Sequence, residues 1–313
     1  MRIVVALGGN ALLKRGEPMT AEAQHTNARI AATALADLAR DHQIVVAHGN
    51  GPQVGLMALR SAAYAPDNPW PLDILGAETE GMIGYLLEQE LMNALPRGTD
   101  CATLLTRVEV DPVDPAFDRP TKPIGPVYTE KEAGPVSAEH GWSMVEEATG
   151  GLRRVVASPL PIAILGIVPI RMLVEAGVCV ICAGGGGIPV VRGKDGKMEG
   201  VEAVIDKDRT SALLARELDA DVLLMLTDVQ AVFHDWGGPD EEAIGSITPD
   251  ALDELTFAEG SMGPKITAAS AFVRAGGTMA GLGRLQDARA IVEGRAGTQV
   301  SMDSLGAEKS VAG

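Results

Sequence analysis

The stretch VCVICAGGGGIP, residues 178–189, places a short apolar run directly before four consecutive glycines. A run of this length that is bounded by turn residues is typical of a buried strand in a parallel sheet. Glycine loses more backbone entropy on folding than any other residue. Four glycines together therefore indicate either a flexible turn or a backbone shaped to wrap an anion, and the rest of the chain must decide between the two.

Two other apolar runs end in the same way. RIVVAL (2–7) leads into GGN, and QIVVAH (43–48) leads into GNGPQ. In an open parallel α/β sheet, ligands bind outside the carboxyl ends of the strands. Three glycine-rich turns on one edge would present many backbone N–H groups to one cleft, which favours an anion site and a phosphate-handling enzyme.

Helical patterns alternate with these runs, which predicts an α/β fold: a three-layer αβα sandwich with a central, mostly parallel sheet. Predicted helices cover 20–42 and 75–95 and lie near 168–176, 208–218, 248–255 and 265–276; further strands lie at 102–110, 221–227 and 278–283, with a hairpin turn at 194–197. Residues 111–128 hold five prolines, so we expect 111–157 to form a partly irregular lid. We place a lobe boundary near residue 200, with an N-terminal lobe at 1–200 and a C-terminal lobe at 201–313.

The composition limits the class of protein. The chain has 313 residues, enough for two lobes, and a formal net charge of −16. This charge argues against nucleic acid or an anionic membrane as the main partner, because both require a basic face. Three cysteines are too few for a disulfide framework, and no apolar run reaches the roughly 20 residues of a membrane span. We expect a cytoplasmic protein that acts on a small molecule.

Several common sites are disfavoured. The chain contains no G-x-x-x-x-G-K-[ST] and no G-x-G-x-x-G after its first strand, which argues against a P-loop and against a nicotinamide-dependent oxidoreductase. Cys179 and Cys182 lie in an apolar strand without a second Cys/His pair, so we interpret them as buried thiols. His48 ends a strand with no partner marked in the sequence, and we interpret it as structural.

Charged residues stand between an apolar strand and a helix in EAVIDKDRTSALLA (202–215). One interpretation is a helix N-terminal cap, in which Asp206 or Asp208 accepts the first free N–H groups. The other is catalysis, in which Lys207 neutralises phosphate and an aspartate fixes the lysine or helps to hold Mg²⁺.

Two more lysines raise the same question. Lys265 follows Pro264, which suits the first turn of a helix, and a cation there opposes the helix dipole unless an anion lies in front of it. Lys122 lies between prolines on the expected lid and is either a solvated loop residue or part of the site. Asn10 and Asn50 lie in glycine turns, where each either caps the loop or binds a carboxylate-like ligand.

Nine segments, in order along nearly the whole chain, resemble the carbamate kinases of the amino acid kinase superfamily. They are ALGGNALL (6–13), AHGNGPQVG (47–55), GAETEGMIGY (76–85), TKPIGPVYT (121–129), CAGGGGIPVV (182–191), GVEAVIDKD (200–208), LTDVQAV (226–232), GSMGPK (260–265) and GTQV (297–300). GGN together with HGNGPQVG and TKPIGP is specific to that family, since other superfamily members generally carry a lysine where this chain has Asn10.

The resemblance implies the amino acid kinase fold with a small protruding lid, and the reaction ATP + carbamate ⇌ ADP + carbamoyl phosphate. It also implies Mg²⁺ bound mainly through the nucleotide phosphates, a homodimer, and a role in making ATP during arginine catabolism. Lys207 and Lys265 would neutralise the transferring phosphoryl group, Asp206 would orient those lysines, and Lys122 would close from the lid. The implied substrate-binding residues are Gly8, Gly9, Asn10, Gly49, Asn50 and Gly51, and the implied nucleotide-binding residues are Gly185, Gly186, Thr227, Asp228, Met262 and Gly263.

Two departures from the family pattern and two alternatives accompany this resemblance. Glu80 stands where the family usually has Gln, which we expect to alter the dimer interface, and AILGIVPI (163–170) is apolar where the family is often charged, which we expect to change an oligomer contact. The alternatives are another acyl-phosphate-forming kinase of the superfamily and a non-catalytic nucleotide sensor on the same fold.

Overall fold

The structure, a computed structural model, describes residues 1–14, 16–147, 150–255 and 262–303. The strands in chain order are β1 (Arg2–Leu7), β2 (Gln43–His48), β3 (Cys101–Leu104), β4 (Arg107–Val110), β5 (Lys122–Tyr128), β6 (Ser143–Glu146), β7 (Leu152–Val156), β8 (Pro161–Leu165), β9 (Cys179–Cys182), β10 (Ile188–Arg192), β11 (Met198–Gly200), β12 (Val222–Thr227), β13 (Val232–His234), β14 (Glu242–Ile244), β15 (Ser246–Ile247), β16 (Met279–Arg284) and β17 (Thr298–Val300). The helices are α1 (Gly9–Leu12), α2 (Ala21–Leu38), α3 (Gly51–Tyr64), α4 (Leu72–Ala94), α5 (Glu130–His140), α6 (Ile167–Glu175), α7 (Lys207–Glu217), α8 (Pro249–Asp253), α9 (Met262–Arg274) and α10 (Ala288–Val292).

A central sheet has the strand order β15-β17-β16-β12-β1-β2-β9-β3. Neighbouring strands are parallel except for β16 and β17, which run antiparallel. The prediction of a mostly parallel sheet is therefore confirmed. Because β1 lies between β12 and β2, its glycine-rich carboxyl end has a neighbouring strand end on either side.

The two faces of this sheet bury two separate apolar cores. Along β1, Val4 and Ala6 belong to a core with residues of α7 and α9, while Ile3, Val5 and Leu7 belong to a core with residues of α2 and α4. This alternation follows from the two-residue period of a strand. Helices therefore cover both faces, and the predicted αβα sandwich is confirmed.

The lid is more regular than the prolines led us to expect. The strands β5, β7 and β6 form an antiparallel sheet that packs with α5. Pro123 and Pro126 fit because β5 is an edge strand whose register shifts between Ile124 and Val127, where ladder N–H groups are not required. Ile124 is fully buried in a small core that it shares with Val54 of α3, which joins the lid to the body.

A second sheet of order β11-β10-β4-β8 lies beside the central one. β10 and β11 are antiparallel around a turn at 193–197, so the predicted hairpin is confirmed. Near its edge strand β8, Leu160, Ile162, Val168 and Met172 are exposed. The lobe boundary near residue 200 remains a prediction; strands from both halves of the chain contribute to the central sheet.

Two predictions about elements were wrong, and one helix was not predicted. The run 102–110 is not one strand, because the chain leaves β3 at Leu104 and enters β4 of the other sheet at Arg107. The strand near 278–283 is not the last, since β17 follows it and pairs antiparallel with it. The sequence analysis also missed the long helix α3, which begins directly in the second glycine turn.

Over the described residues, no helix is long and apolar enough to span a membrane.

Candidate active site

The structure brings the three glycine turns together at the carboxyl edge of the central sheet. A Cβ atom added to Gly49 would lie 3.2 Å from the backbone nitrogen of Gly9 and 3.4 Å from Cδ of Lys207. The backbone of Gly185 packs against the side chain of Asn50, so that a Cβ there would overlap the amide. The convergence expected from the strand order is confirmed.

The four consecutive glycines are neither a flexible turn nor mainly a donor surface. Gly185, Gly186 and Gly187 have φ angles of 68°, 96° and 84°, a backbone region that favours glycine. Gly184 N–H donates to Glu80 (2.8 Å), and the N–H groups of Gly186 and Gly187 donate to backbone carbonyls at 3.1 and 3.0 Å. Much of the donor capacity expected to face an anion is thus satisfied inside the protein. The glycines are required for close packing of the surrounding turns.

Lys122 reaches the site from the first residue of β5. Its Nζ lies 2.5 Å from Oδ2 of Asp206. The other oxygen of Asp206 caps α7, accepting the N–H groups of Asp208 (3.0 Å) and Arg209 (3.3 Å). The helix-cap interpretation of Asp206 is therefore confirmed, and the same carboxylate also holds a lysine from the lid, while the catalytic interpretation stays a prediction.

Asp208 bridges the two remaining lysines. Its Oδ1 lies 3.0 Å from Nζ of Lys207, and its Oδ2 lies 3.0 Å from Nζ of Lys265. This corrects the expectation that Asp206 orients these lysines, since Asp206 is occupied by Lys122 and the helix cap. Asp208 lies two residues after Asp206, in the first turn of α7, and faces α9. Lys265 follows Pro264 in the first turn of α9, as predicted.

Burial and the neighbouring charges set the pKa values of this cluster. Burial alone would raise the pKa values of Asp206 and Asp208, but the lysine ammonium groups beside them hold both below the usual range. Burial would lower the pKa of Lys207, yet the two carboxylates raise it. The pKa of Lys265 is lowered by burial and by the charge of Lys207. Among the described residues, this cluster brings three ammonium groups against two carboxylates.

The glycine turns after β1 and β2 are held in place by neighbouring segments. Asn50 precedes α3 and donates its Nδ2–H to Oγ1 of Thr79 at 2.9 Å, so in this structure its amide nitrogen supports the turn. Gly8 donates its N–H to Leu226 at 2.8 Å, which ties the first turn to the end of β12. Gly51 is the first residue of α3, and the side chain of Asn10 lies outside the described residues.

Four of the six expected nucleotide residues, Thr227, Asp228, Met262 and Gly263, lie on the other side of β1, whereas Gly185 and Gly186 follow β9 and pack against Asn50 and Ile205. Thr227 ends β12 and donates its hydroxyl to Asp228 at 3.1 Å, and Asp228 is exposed. Met262 and Gly263 begin α9, one turn before Lys265. These residues therefore lie at the same sheet edge as the lysine cluster, on the C-terminal part of the chain.

His48 is confirmed as a buried structural residue. It has no solvent exposure, its Nδ1 lies 3.2 Å from the carbonyl of Gly49, and burial lowers its pKa to about 4. In residues 1–14, 16–147, 150–255 and 262–303, no group of three or more His, Cys, Asp or Glu side chains could hold a metal ion. The carboxylates nearest the site are instead paired with lysines.

Comparison of the chain with known proteins identifies its family. Residues 1–280 match the model of the amino acid kinase family. The chain belongs to this family. It is 57% identical over 303 residues to a carbamate kinase of Rhizobium meliloti (strain 1021), covering 96% of this chain and 93% of that relative. It is 55% identical over 306 residues to a carbamate kinase of Haemophilus influenzae, covering 98% of each.

Solved structures agree with the fold. A carbamate kinase from Giardia lamblia bound to citric acid superposes with a TM-score of 0.88 at 38% identity, covering 96% of this chain and 98% of that one. The same enzyme bound to AMP-PNP superposes with a TM-score of 0.85 over the same shares of the two chains.

Two residues of the site escaped the sequence analysis in the roles the structure gives them. Asp208 was considered only as a helix cap or a general partner of lysine, because its position between two lysines depends on how α9 packs against α7. Glu80 was expected to alter the dimer interface; its side chain is buried inside the chain, where it accepts the N–H of Gly184, and its effect on a dimer interface stays a prediction. No local signal in the sequence marks either contact.

Proposed function

We propose that this protein catalyses reversible phosphoryl transfer between ATP and carbamate, giving ADP and carbamoyl phosphate. The observation that carries the proposal is the buried lysine cluster, in which Asp208 holds Lys207 and Lys265 beside the glycine turns. Phosphoryl transfer needs positioning and charge neutralisation more than covalent chemistry. The carbamate kinases to which the chain is similar over nearly its full length support the choice of acceptor.

The lysines supply the charge stabilisation. In our proposal Lys207 and Lys265 neutralise the oxygens of the transferring phosphoryl group, and Lys122 approaches from the lid while paired with Asp206. Carbamate presents an oxygen that is already ionised, so no general base is required. The turns that contain Gly8, Gly9 and Gly49–Gly51 hold the acceptor and the phosphoryl group.

The nucleotide is proposed to lie across the C-terminal part of the same edge. The residues proposed for it are Gly185, Gly186, Thr227, Asp228, Met262 and Gly263. Mg²⁺ would enter with the nucleotide phosphates and neutralise part of their charge, since Asp206 and Asp208 are already engaged by lysines. A kinase that uses the cellular ATP pool would act in the cytoplasm, and we propose that location.

A panel of phosphoryl acceptors tests this function. We expect ATP consumption with carbamate and little with acetylglutamate, glutamate, aspartate or a nucleoside monophosphate. Turnover of one of these other acceptors in preference to carbamate would favour another kinase of the family. Binding of ATP with no phosphoryl transfer to any acceptor would favour a nucleotide sensor.

We also propose that the protein is a homodimer. β3 is the edge strand of the central sheet, and its open side lies next to the exposed residues Tyr85 and Met92 of α4 and Leu105. An open strand edge with apolar neighbours is a template for pairing with a second chain. Antiparallel pairing of two copies of β3 would extend the central sheet across the dimer and cover this surface.

A further inference from the structure

A buried carboxylate lies directly under the glycine turn of the site. Glu80 is on α4 and its relative exposure is only 1%. Its Oε1 accepts the N–H of Gly184 at 2.8 Å, and its Oε2 accepts the N–H of Thr106 at 3.1 Å. Each oxygen therefore satisfies a backbone donor that is buried away from water, and neither N–H is paired within a helix or a sheet ladder.

The carboxylate joins the two segments that frame the glycine turn. Thr106 lies where the chain passes from β3 to β4, and its hydroxyl accepts the N–H of Ala183 at 2.9 Å. Its carbonyl accepts the N–H of Ile188 at 2.8 Å. Thr106 thus holds the backbone on both sides of the glycine turn. Glu80 in turn holds Thr106 and Gly184 to α4.

Thr79, the residue before Glu80 on α4, holds the glycine turn after β2. Thr79 accepts the amide N–H of Asn50 at 2.9 Å, and Asn50 in turn packs against Gly185. On the far side, Thr210 donates its hydroxyl to the carbonyl of Gly186 at 2.9 Å, and this threonine lies one turn after Lys207 on α7. A continuous set of contacts therefore runs from Glu80 through the glycine turn to the helix that carries Lys207.

No cation compensates the charge of Glu80 among the ion pairs of the described residues. The titratable groups that face it are His48 of β2 and Cys182 of β9, while Lys207 of α7 lies beyond His48. Burial keeps His48 neutral at neutral pH and raises the pKa of the Cys182 thiol. Burial also raises the pKa of Glu80 to about 8, although the two N–H donors oppose that shift.

We propose that Glu80 is a positioning residue for phosphoryl transfer, whose ionised carboxylate holds the glycine turn and whose protonation slows the reaction. Protonation weakens the two hydrogen bonds, because the oxygens of a neutral carboxyl group are poorer acceptors than those of a carboxylate. The turn then loses part of its fixed position against Asn50 and α7. This inference rests on the proposed function, because its readout is the rate of that reaction.

The test compares pH–rate profiles for ATP formation from ADP and carbamoyl phosphate between pH 7.0 and 9.5. In the unaltered protein, kcat rises by about fivefold as Glu80 ionises, the factor that one net hydrogen bond corresponds to. The variant Glu80→Gln keeps the size and one carbonyl oxygen but cannot ionise. Its kcat stays near the low-pH value of the unaltered protein, and this rise is absent.

Glu90→Gln is the matched control. Glu90 is a second buried carboxylate on α4, but its oxygen pairs with Arg29 at 3.2 Å and it contacts none of the turns of the site. We expect this variant to retain the rise with pH. If Glu80→Gln also retains it, the proposal is overturned while the proposed function stands; if the unaltered protein makes no ATP at any pH, the proposed function itself fails.

A measurement on the unaltered protein covers the case in which Glu80→Gln does not fold. The amide ¹⁵N–¹H signals of Gly184 and Thr106 should shift with pH at the same midpoint as kcat, because both donate to Glu80. Amide signals that stay constant while kcat rises would overturn the proposal.

Discussion

At the scale of single residues, one carboxylate is paired with two lysine ammonium groups. Asp208 is the common partner of Lys207 and Lys265, and all three side chains are largely removed from water. Without it, two ammonium groups would face each other in a region of low dielectric. The protonation of the lysines, and with it the charge that meets the phosphoryl group, depends on Asp208.

Replacement of Asp208 by Asn tests this dependence through pH. The pKa of Lys265 is already lowered by burial and by Lys207, and loss of the negative charge lowers it further. Because the reaction needs the protonated lysine, activity is present below this pKa and lost as the pH rises through it. We expect the alkaline limb of kcat to move to lower pH by about 1 to 3 units. An unchanged alkaline limb would contradict the role given to Asp208.

Removal of either lysine should abolish most of the transition-state stabilisation. We expect Lys207→Ala and Lys265→Ala each to lower kcat by about 10²- to 10³-fold, the usual effect of losing one charge-stabilising group. Lys197→Ala is the control, because Lys197 is exposed in the hairpin and pairs there with Asp195. Near-normal turnover in either active-site variant would remove that lysine from the mechanism.

The sequence analysis identified the lysines of the site but not the carboxylate with which each one pairs. Lys265 was identified because a cation in the first turn of a helix is unfavourable without an anion. Asp206 was expected to orient it, and Asp208 could not be identified as its partner because that pairing depends on where α9 crosses α7. The contact of Glu80 with Gly184 could not be predicted for the same reason, because the position of one residue on a helix does not reveal which segments pack against it.

At the scale of elements, the lid is joined to the body by a glycine–glycine contact. A Cβ on Gly55 of α3 would overlap the backbone of Gly125 in β5, and Gly125 has a φ of 74°. The lid strand that carries Lys122 can approach α3 this closely because Gly55 has no side chain, while Gly125 is required for its positive φ. This contact fixes the distance between Lys122 and the rest of the lysine cluster.

Substitution of Gly55 by Ala tests that contact. The added methyl group must push β5 away, and we expect a loss of about 1–3 kcal/mol in the free energy of unfolding together with a lower kcat. Gly76→Ala on α4 is the control, because a Cβ there meets nothing within 4 Å and should leave stability equal or slightly higher. Equal stabilities of Gly55→Ala and the unaltered protein in urea unfolding would argue against the tight lid contact.

The elements that the sequence predicted well are those with a strong local pattern. β1, β2 and β12 were found within one residue at each end, because buried parallel strands appear as uninterrupted apolar runs. The split between β3 and β4 was missed because Leu105 and Thr106 carry no turn signal. The break is caused by Thr106 contacting Ala183 and Glu80, which are distant in sequence.

At the scale of the whole molecule, the chain exposes two apolar surfaces that could join two copies. One lies around the edge strand β3, with Tyr85 60% and Leu105 59% exposed; the other lies near β8, with Val168 64% exposed. The proposed dimer uses the first, because pairing at β3 continues the larger sheet.

Light scattering of two matched variants distinguishes these surfaces. We expect the unaltered protein to have twice the mass of one chain, Leu105→Glu to shift it towards one chain, and Val168→Glu to leave it unchanged. Dissociation by Val168→Glu alone would instead place the contact at the apolar segment near β8. A single-chain mass for the unaltered protein would contradict the dimer.

The architecture as a whole could be predicted from the sequence because strand and helix patterns alternate along it. The alternation predicts the sandwich, and the glycine turns after three of its strands predict the edge that carries the site. The internal use of the glycine N–H groups could not be predicted, since their acceptors come from α4 and from the turn itself.

The most direct test of the account is ATP formation from ADP and carbamoyl phosphate with Mg²⁺ present. We predict rapid ATP formation that requires carbamoyl phosphate and falls by about 10²-fold or more in Lys265→Ala, because the reaction depends on the buried lysine cluster. The account would be contradicted if purified, folded protein bound ADP and made no ATP, or if Lys265→Ala made it at the unaltered rate.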